Sequence, residues 1–165
     1  MTSPNGRADA SPYAAFAGQP AAEFLLHEPP MVLLDRVVEV DRDGALCTCR
    51  TGFDSLFCLP GRGVPGWTAI EFMAQCIAVS AGACARVEKR PIPLGLLLGT
   101  RHMKLQHGVF DPDREYRVES RLNFKDDSGM AAHECRVLQG ATVVAQARLT
   151  AKEIQRGEDS GVQLS

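Results

Sequence analysis

The chain has 165 residues, 45% hydrophobic and 23% charged, with a formal net charge of -2. That length suits one domain with a workable core, and the near-neutral charge gives no electrostatic case for nucleic acid or an anionic membrane as partner. The six cysteines, at 47, 49, 58, 76, 84 and 135, include no Cys-x-x-Cys pair, so no zinc or thioredoxin-like site is expected and reduced thiols fit better than a disulfide framework.

Residues 1–22 are rich in Ala, Gly, Pro and Ser and lack the apolar core of a signal peptide, which reads as a flexible extension on a cytoplasmic protein. Glu23 to Leu26 suits a short turn or helix, and Pro29 and Pro30 make Leu26 to Met31 rigid and extended. Met31 to Val40 (Met-Val-Leu-Leu-Asp-Arg-Val-Val-Glu-Val) reads as a strand. Asp41 to Gly44 is a turn, and Ala45 to Thr51 pairs back as a hairpin. A loop from Phe53 to Val64 carries Cys58-Leu59-Pro60-Gly61.

After Pro65-Gly66 the segment reads as a helix ending near Val87, where Arg86, Lys89 and Arg90 suit the dipole and Pro91 and Pro93 stop it. Between Thr68 and Ala85 the only polar side chains are Thr68, Glu71, Gln75 and Ser80. A helix apolar on nearly all sides must be enclosed. A membrane span would carry a carboxylate at a cost of about 2.5–3.5 kcal/mol, so the expectation is a core helix. Glu71 is then a carboxylate near the positive end of a buried helix. One reading makes it half of a capping box with Thr68. The other makes it a functional acid, oriented by Gln75 one turn later.

Four further strands follow: Leu94 to Met103, Glu115 to Phe124, Met130 to Leu138 and Thr142 to Ile154, with turns at Asp111-Pro112-Asp113, Asp126 to Gly129 and Gln139-Gly140. Two strands, one long helix and four strands give an α+β domain over residues 23–154, with a flexible tail at 155–165. A single sheet curled round one helix leaves an edge and a face uncovered, which dimerisation would complete.

Two motifs carry a resemblance. Leu26-His27-x-Pro29-Pro30-Met31-x-Leu33-Leu34-Asp35-Arg36-Val37 and Pro65-Gly66-x4-Glu71-x-Met73-Ala74-Gln75 resemble the hotdog-fold 3-hydroxyacyl-acyl-carrier-protein dehydratases, whose antiparallel sheet wraps one central helix. Trp67 within the second motif, and Leu94-Gly95 to Gly99, make the chain most similar to the divergent dehydratase-like subunit of aryl-polyene pigment clusters. The resemblance spans residues 25–153.

It implies no cofactor or metal, and a substrate tethered to the phosphopantetheine arm of an acyl carrier protein. Dehydrating a 3-hydroxyacyl thioester needs a base for the Cα proton, an acid for the leaving hydroxyl and a dipole at the thioester carbonyl. Glu71 would be the acid and Gln75 its orienting partner. The backbone N–H of Gly66 or Trp67 would polarise the carbonyl. His27 and Cys58 would line the substrate channel, and Arg101 and Lys104, with Arg62 a weaker candidate, would meet the carrier protein or its phosphate.

One departure matters. The family's catalytic histidine stands two residues before the first Pro-Gly of the preceding loop, and here Cys58 holds that place. The resembled dehydratases build their site across a dimer interface, with histidine from one subunit and the acid from the other. A heterodimer in which a partner supplies the histidine therefore restores the pair; a homodimer is the other assembly. Two competing functions remain: a non-catalytic acyl-binding scaffold, and a thioesterase whose helix carboxylate activates water.

Overall fold

The computed structural model describes residues 11–154. Six antiparallel strands form one sheet in the order β1-β2-β6-β7-β8-β4. They are β1 (Val37–Val40), β2 (Gly44–Thr51), β4 (Leu94–Leu105), β6 (Arg114–Lys125), β7 (Met130–Gln139) and β8 (Thr142–Ile154). β3 (Val64–Pro65) and β5 (Val109–Phe110) pair as a separate two-residue ribbon. One helix, α1 (Ala69–Val87), follows a 3-10 turn at Gly66–Thr68 and lies against the sheet. This is the hotdog architecture.

Alternation along the strands builds the core. Val118, Val137 and Leu149 turn fully buried side chains inward and meet Met73, Cys76 and Val79 of α1, also fully buried. Each large apolar side chain so enclosed contributes about 1.5–3 kcal/mol. Cys76 behaves as a small core residue, its thiol 3.3 Å from the carbonyl oxygens of Ala45 and Val118. The stretch Gly66–Val87 is long and apolar enough to cross a membrane, but most of it is buried within the protein as the core helix.

Enclosure is incomplete on one stripe. Ile70, Ala74, Ile77, Ala78 and Ala81 are half-buried, so α1 keeps an apolar face that the sheet does not cover. β4 is the matching gap on the sheet side. It pairs with β8 along one edge only, and Leu94, Leu96, Leu97 and Leu98 are all exposed.

Two expectations are corrected. The strand expected over Met31 to Val40 forms only at Val37–Val40, because Gln75 of α1 takes the backbone groups that a neighbouring strand would have paired. The flexible extension expected over 1–22 does not describe residues 11–22. Phe16 and Ala21 are buried, Phe16 packs edge-on against Phe24 at 5.1 Å, and the Gly18 and Ala21 N–H groups donate to Val37 O and Asp35 O. The two aromatic residues Tyr13 and Phe16 give that stretch something to bury. Residues 1–10 and the tail expected at 155–165 lie outside the described residues.

Candidate active site

The first turn of α1 sets the position of Glu71. Pro65 fixes the entry, and Thr68 Oγ1 donates to Pro65 O at 2.6 Å. Thr68 makes no side-chain cap to the helix, so the capping-box reading of Glu71 does not hold. Glu71 instead accepts a hydrogen bond from Gln75 Nε2 at 2.9 Å.

Gln75 is fully buried and every polar group on it is used. Its Nε2 donates also to Met31 O at 2.6 Å, and its Oε1 accepts from the Leu33 N–H at 2.9 Å. The carboxylate and Met31 O need donors while the Leu33 N–H needs an acceptor, so the amide has one satisfying orientation. Gln75 thus ties Glu71 to the segment entering β1.

That segment brings a histidine with it. Gly82 of α1 lies against the Phe24 backbone, where a Cβ would collide with Phe24 O. Arg86 covers the Phe24 ring at 4.5 Å and donates to Glu23 O at 3.0 Å. Residues 24 to 33 are therefore clamped at Gly82 and at Gln75, and between the clamps His27 places Nε2 3.5 Å from Glu71 Oε1. Oε1 is shared by Gln75 and His27, while Oε2 has no partner among the described residues. Glu71 is not enclosed as expected, since its side chain is 32% exposed at the edge of a trough.

The trough has a volume of about 480 Å³ and runs between the open stripe of α1 and the ends of β4, β7 and β8. His27 and Glu71 line it with Ala74, Ile77, Ala78 and Leu97. An apolar groove whose mouth holds an oriented carboxylate beside an imidazole suits a hydrocarbon chain whose reactive end needs proton transfer.

Other expected site residues stand elsewhere. The Gly66 N–H is not available to a carbonyl, because it donates to Gly108 O at 2.8 Å. Glycine is needed at 66 because the 107–108 backbone presses on it. The Trp67 N–H, in the first turn where helix donors lack intrahelical acceptors, is the donor left. The Trp67 side chain is exposed and stacks edge-on with Phe57 at 5.7 Å. Cys58 packs half-buried against the core and is not among the residues lining this trough. Arg101 and Lys104 are exposed on β4 without ion pairs among the described residues and also lie off the trough. Lys104 borders a separate outer-face cleft with Arg136 and Arg148.

Sequence reasoning missed the His27–Glu71 approach and the inward position of His133. Burial pulls the His133 pKa from 6.5 down to about 4, with Lys125 adding to it. The alternation Ala131, His133, Cys135, Val137 on one face of β7 was the available signal.

Comparison with known proteins follows the same lines. The family described as ApeP-like, ApeP dehydratase, matches residues 19–160. The chain is similar to a chain in the structure of the dehydratase heterocomplex ApeI:P from Xenorhabdus doucetiae, with 31% identity and a TM-score of 0.77, covering 84% of this chain and 93% of that one. A conserved protein from Pseudomonas aeruginosa shares the fold at 18% identity and TM-score 0.59, covering 81% and 98%. A protein from Pyrococcus horikoshii does so at 12% and 0.60, covering 84% and 96%. No curated protein matches the sequence.

Proposed function

The chain belongs to the ApeP-like dehydratase family, and from that premise we propose that it is the acid-bearing subunit of a 3-hydroxyacyl-[acyl-carrier-protein] dehydratase serving fatty acid or aryl-polyene-type polyketide synthesis. The observation that carries the reading is Glu71, oriented by a fully satisfied Gln75 at the edge of an apolar trough. A base removes the Cα proton of the 3-hydroxyacyl thioester. The Cβ–O bond breaks, and Glu71 delivers a proton to the departing hydroxyl through Oε2 or an intervening water. The products are an enoyl thioester and water. The Trp67 N–H is the proposed donor to the thioester oxygen as charge develops there. Arg101 and Lys104 are the cations offered to the carrier protein.

The base has two sources. The resembled family's histidine position holds Cys58 here, and the related X. doucetiae protein is part of a heterocomplex. This supports a heterodimer closed over β4 and the open stripe of α1, with histidine from the partner. His27, 3.5 Å from Glu71, favours a second reading in which the imidazole comes from the same chain. The test is formation of enoyl thioester from a carrier-protein-bound 3-hydroxyacyl chain, by this chain alone and with its dehydratase-like partner. Release of free acid and thiol instead would mark a thioesterase. Acyl binding without turnover in either assembly would mark a scaffold.

A further inference from the structure

The trough that begins at Glu71 has a polar group at its other end. His133 of β7 stands on the inner face of the sheet between Leu122 of β6 and Leu149 of β8, and it lines the same trough. Its level along α1 follows from neighbouring hydrogen bonds. Ser80 Oγ donates to Asp41 O at 3.2 Å, and the Leu122 N–H donates to Asp43 O at 2.7 Å. Leu122 and its strand partner His133 are therefore level with the Ser80 end of the helix. From Glu71 to Ser80 the helix rises about 14 Å, at roughly 1.5 Å per residue. The wall between is apolar: Ala74, Ile77, Ala78 and Ala81 on one side, Leu97 and Ala151 on the other.

His133 Nδ1 is buried and has no hydrogen-bond partner among the described residues. A sealed nitrogen without an acceptor is better left as the lone-pair nitrogen than as an orphaned N–H. The proton then sits on Nε2, the nitrogen that is not sealed. Around this end Arg90 pairs with Glu88 and Glu153, and Lys125 with Glu153, while Arg42, Asp43 and Lys152 line the trough without an ion pair among the described residues. His133 is thus a neutral donor at the point where the apolar wall of the trough gives way to charged side chains.

We propose that His133 is a specificity determinant: its Nε2–H donates to an oxygen carried near the far end of the acyl group. The preferred substrates are 3-hydroxyacyl thioesters with a distal hydroxyl or carbonyl oxygen, over plain hydrocarbon chains of the same reach. Turnover of such substrates rests on the dehydratase reading, but their binding does not.

The experiment titrates the full chain with the non-reactive amide analogues of ω-hydroxydodecanoyl- and dodecanoyl-pantetheine, and separately measures dehydration of the matching 3-hydroxy thioesters. The hydroxylated probe should bind roughly three- to tenfold more tightly, the worth of one neutral hydrogen bond. His133→Leu should abolish that preference, His133→Gln should keep part of it, and Arg117→Gln, exposed on β6 away from the trough, should leave it intact. Absence of the preference in the unaltered chain, binding of neither probe, or a preference that survives His133→Leu would each overturn the proposal. If no 3-hydroxy thioester is dehydrated but the binding preference behaves as stated, the dehydratase reading falls and this one stands.

Discussion

His27 Nε2 and Glu71 Oε1 face each other at 3.5 Å although they lie on different elements. The approach is imposed from outside the pair. Gly82 admits the Phe24 backbone at one end of the entering segment, and Gln75 holds Met31 and Leu33 at the other. The chemistry of Glu71 and the route of the N-terminal segment are therefore coupled.

Glu71→Gln should remove dehydration by at least about 100-fold, the usual scale for a general acid, while circular dichroism stays unchanged. Retained turnover would end the assignment of Glu71 as the proton donor.

His27→Gln separates the two sources of the base. With a partner's histidine as base, turnover of the complex should fall by less than about tenfold, through weaker support of Glu71. A loss on the order of 100-fold or more would move the base to His27.

Gln75→Leu keeps the volume but strands the Leu33 N–H and the Met31 carbonyl. Two unsatisfied groups, at about 1–3 kcal/mol each, make a loss of about 2–6 kcal/mol the expected result of chemical denaturation. The segment before β1 should also gain amide hydrogen exchange.

Gly82→Ala should be disproportionately costly for a surface-sized change, about 1–3 kcal/mol, because the new methyl meets backbone and not a movable side chain. Its second effect should be on catalysis. Displacing Phe24 shifts His27, so kcat in the folded variant should drop although neither His27 nor Glu71 is altered.

His133 makes a pH prediction. Its folded pKa lies below the ordinary value, at about 4, chiefly through burial. Between that value and 6.5 the unfolded chain holds a proton that the folded chain lacks, so stability rises with pH across that window. The contribution is complete above about 6.5 and is lost as pH falls towards 4, up to about 3 kcal/mol at 1.36 kcal/mol per unit. Denaturation midpoints measured through this range should show the slope, and His133→Leu should flatten it.

Much of the fold was legible because strong punctuation framed it. Pro65-Gly66 opened α1, Pro91 and Pro93 closed it, and inward alternation marked β6, β7 and β8. Met31 to Arg36 misled because its apolar run looks like a strand, while the partner that satisfies it is one side chain on a helix. β3 and β5, at two residues each, are too short to leave a period. Residues 11–22 have a linker's composition but hold Tyr13 and Phe16 against the core. In the site, Glu71 and Gln75 announced themselves by their isolation in an apolar run. His27 did not, because its nearness to Glu71 is made by the clamps and not by spacing. The Gly66 N–H was misjudged because its acceptor comes from the distant Gly108.

Five of the six thiols are buried, and hydrogen bonding or burial pushes those of Cys47, Cys49 and Cys135 upward in pKa; Cys58 alone is only half-buried. A bulky maleimide dye should therefore attach at one native position, on the loop where Phe57 leans on Trp67. The folded protein comes with its own single labelling handle beside the start of α1, and a fluorophore placed there would report on the loop without any engineered cysteine.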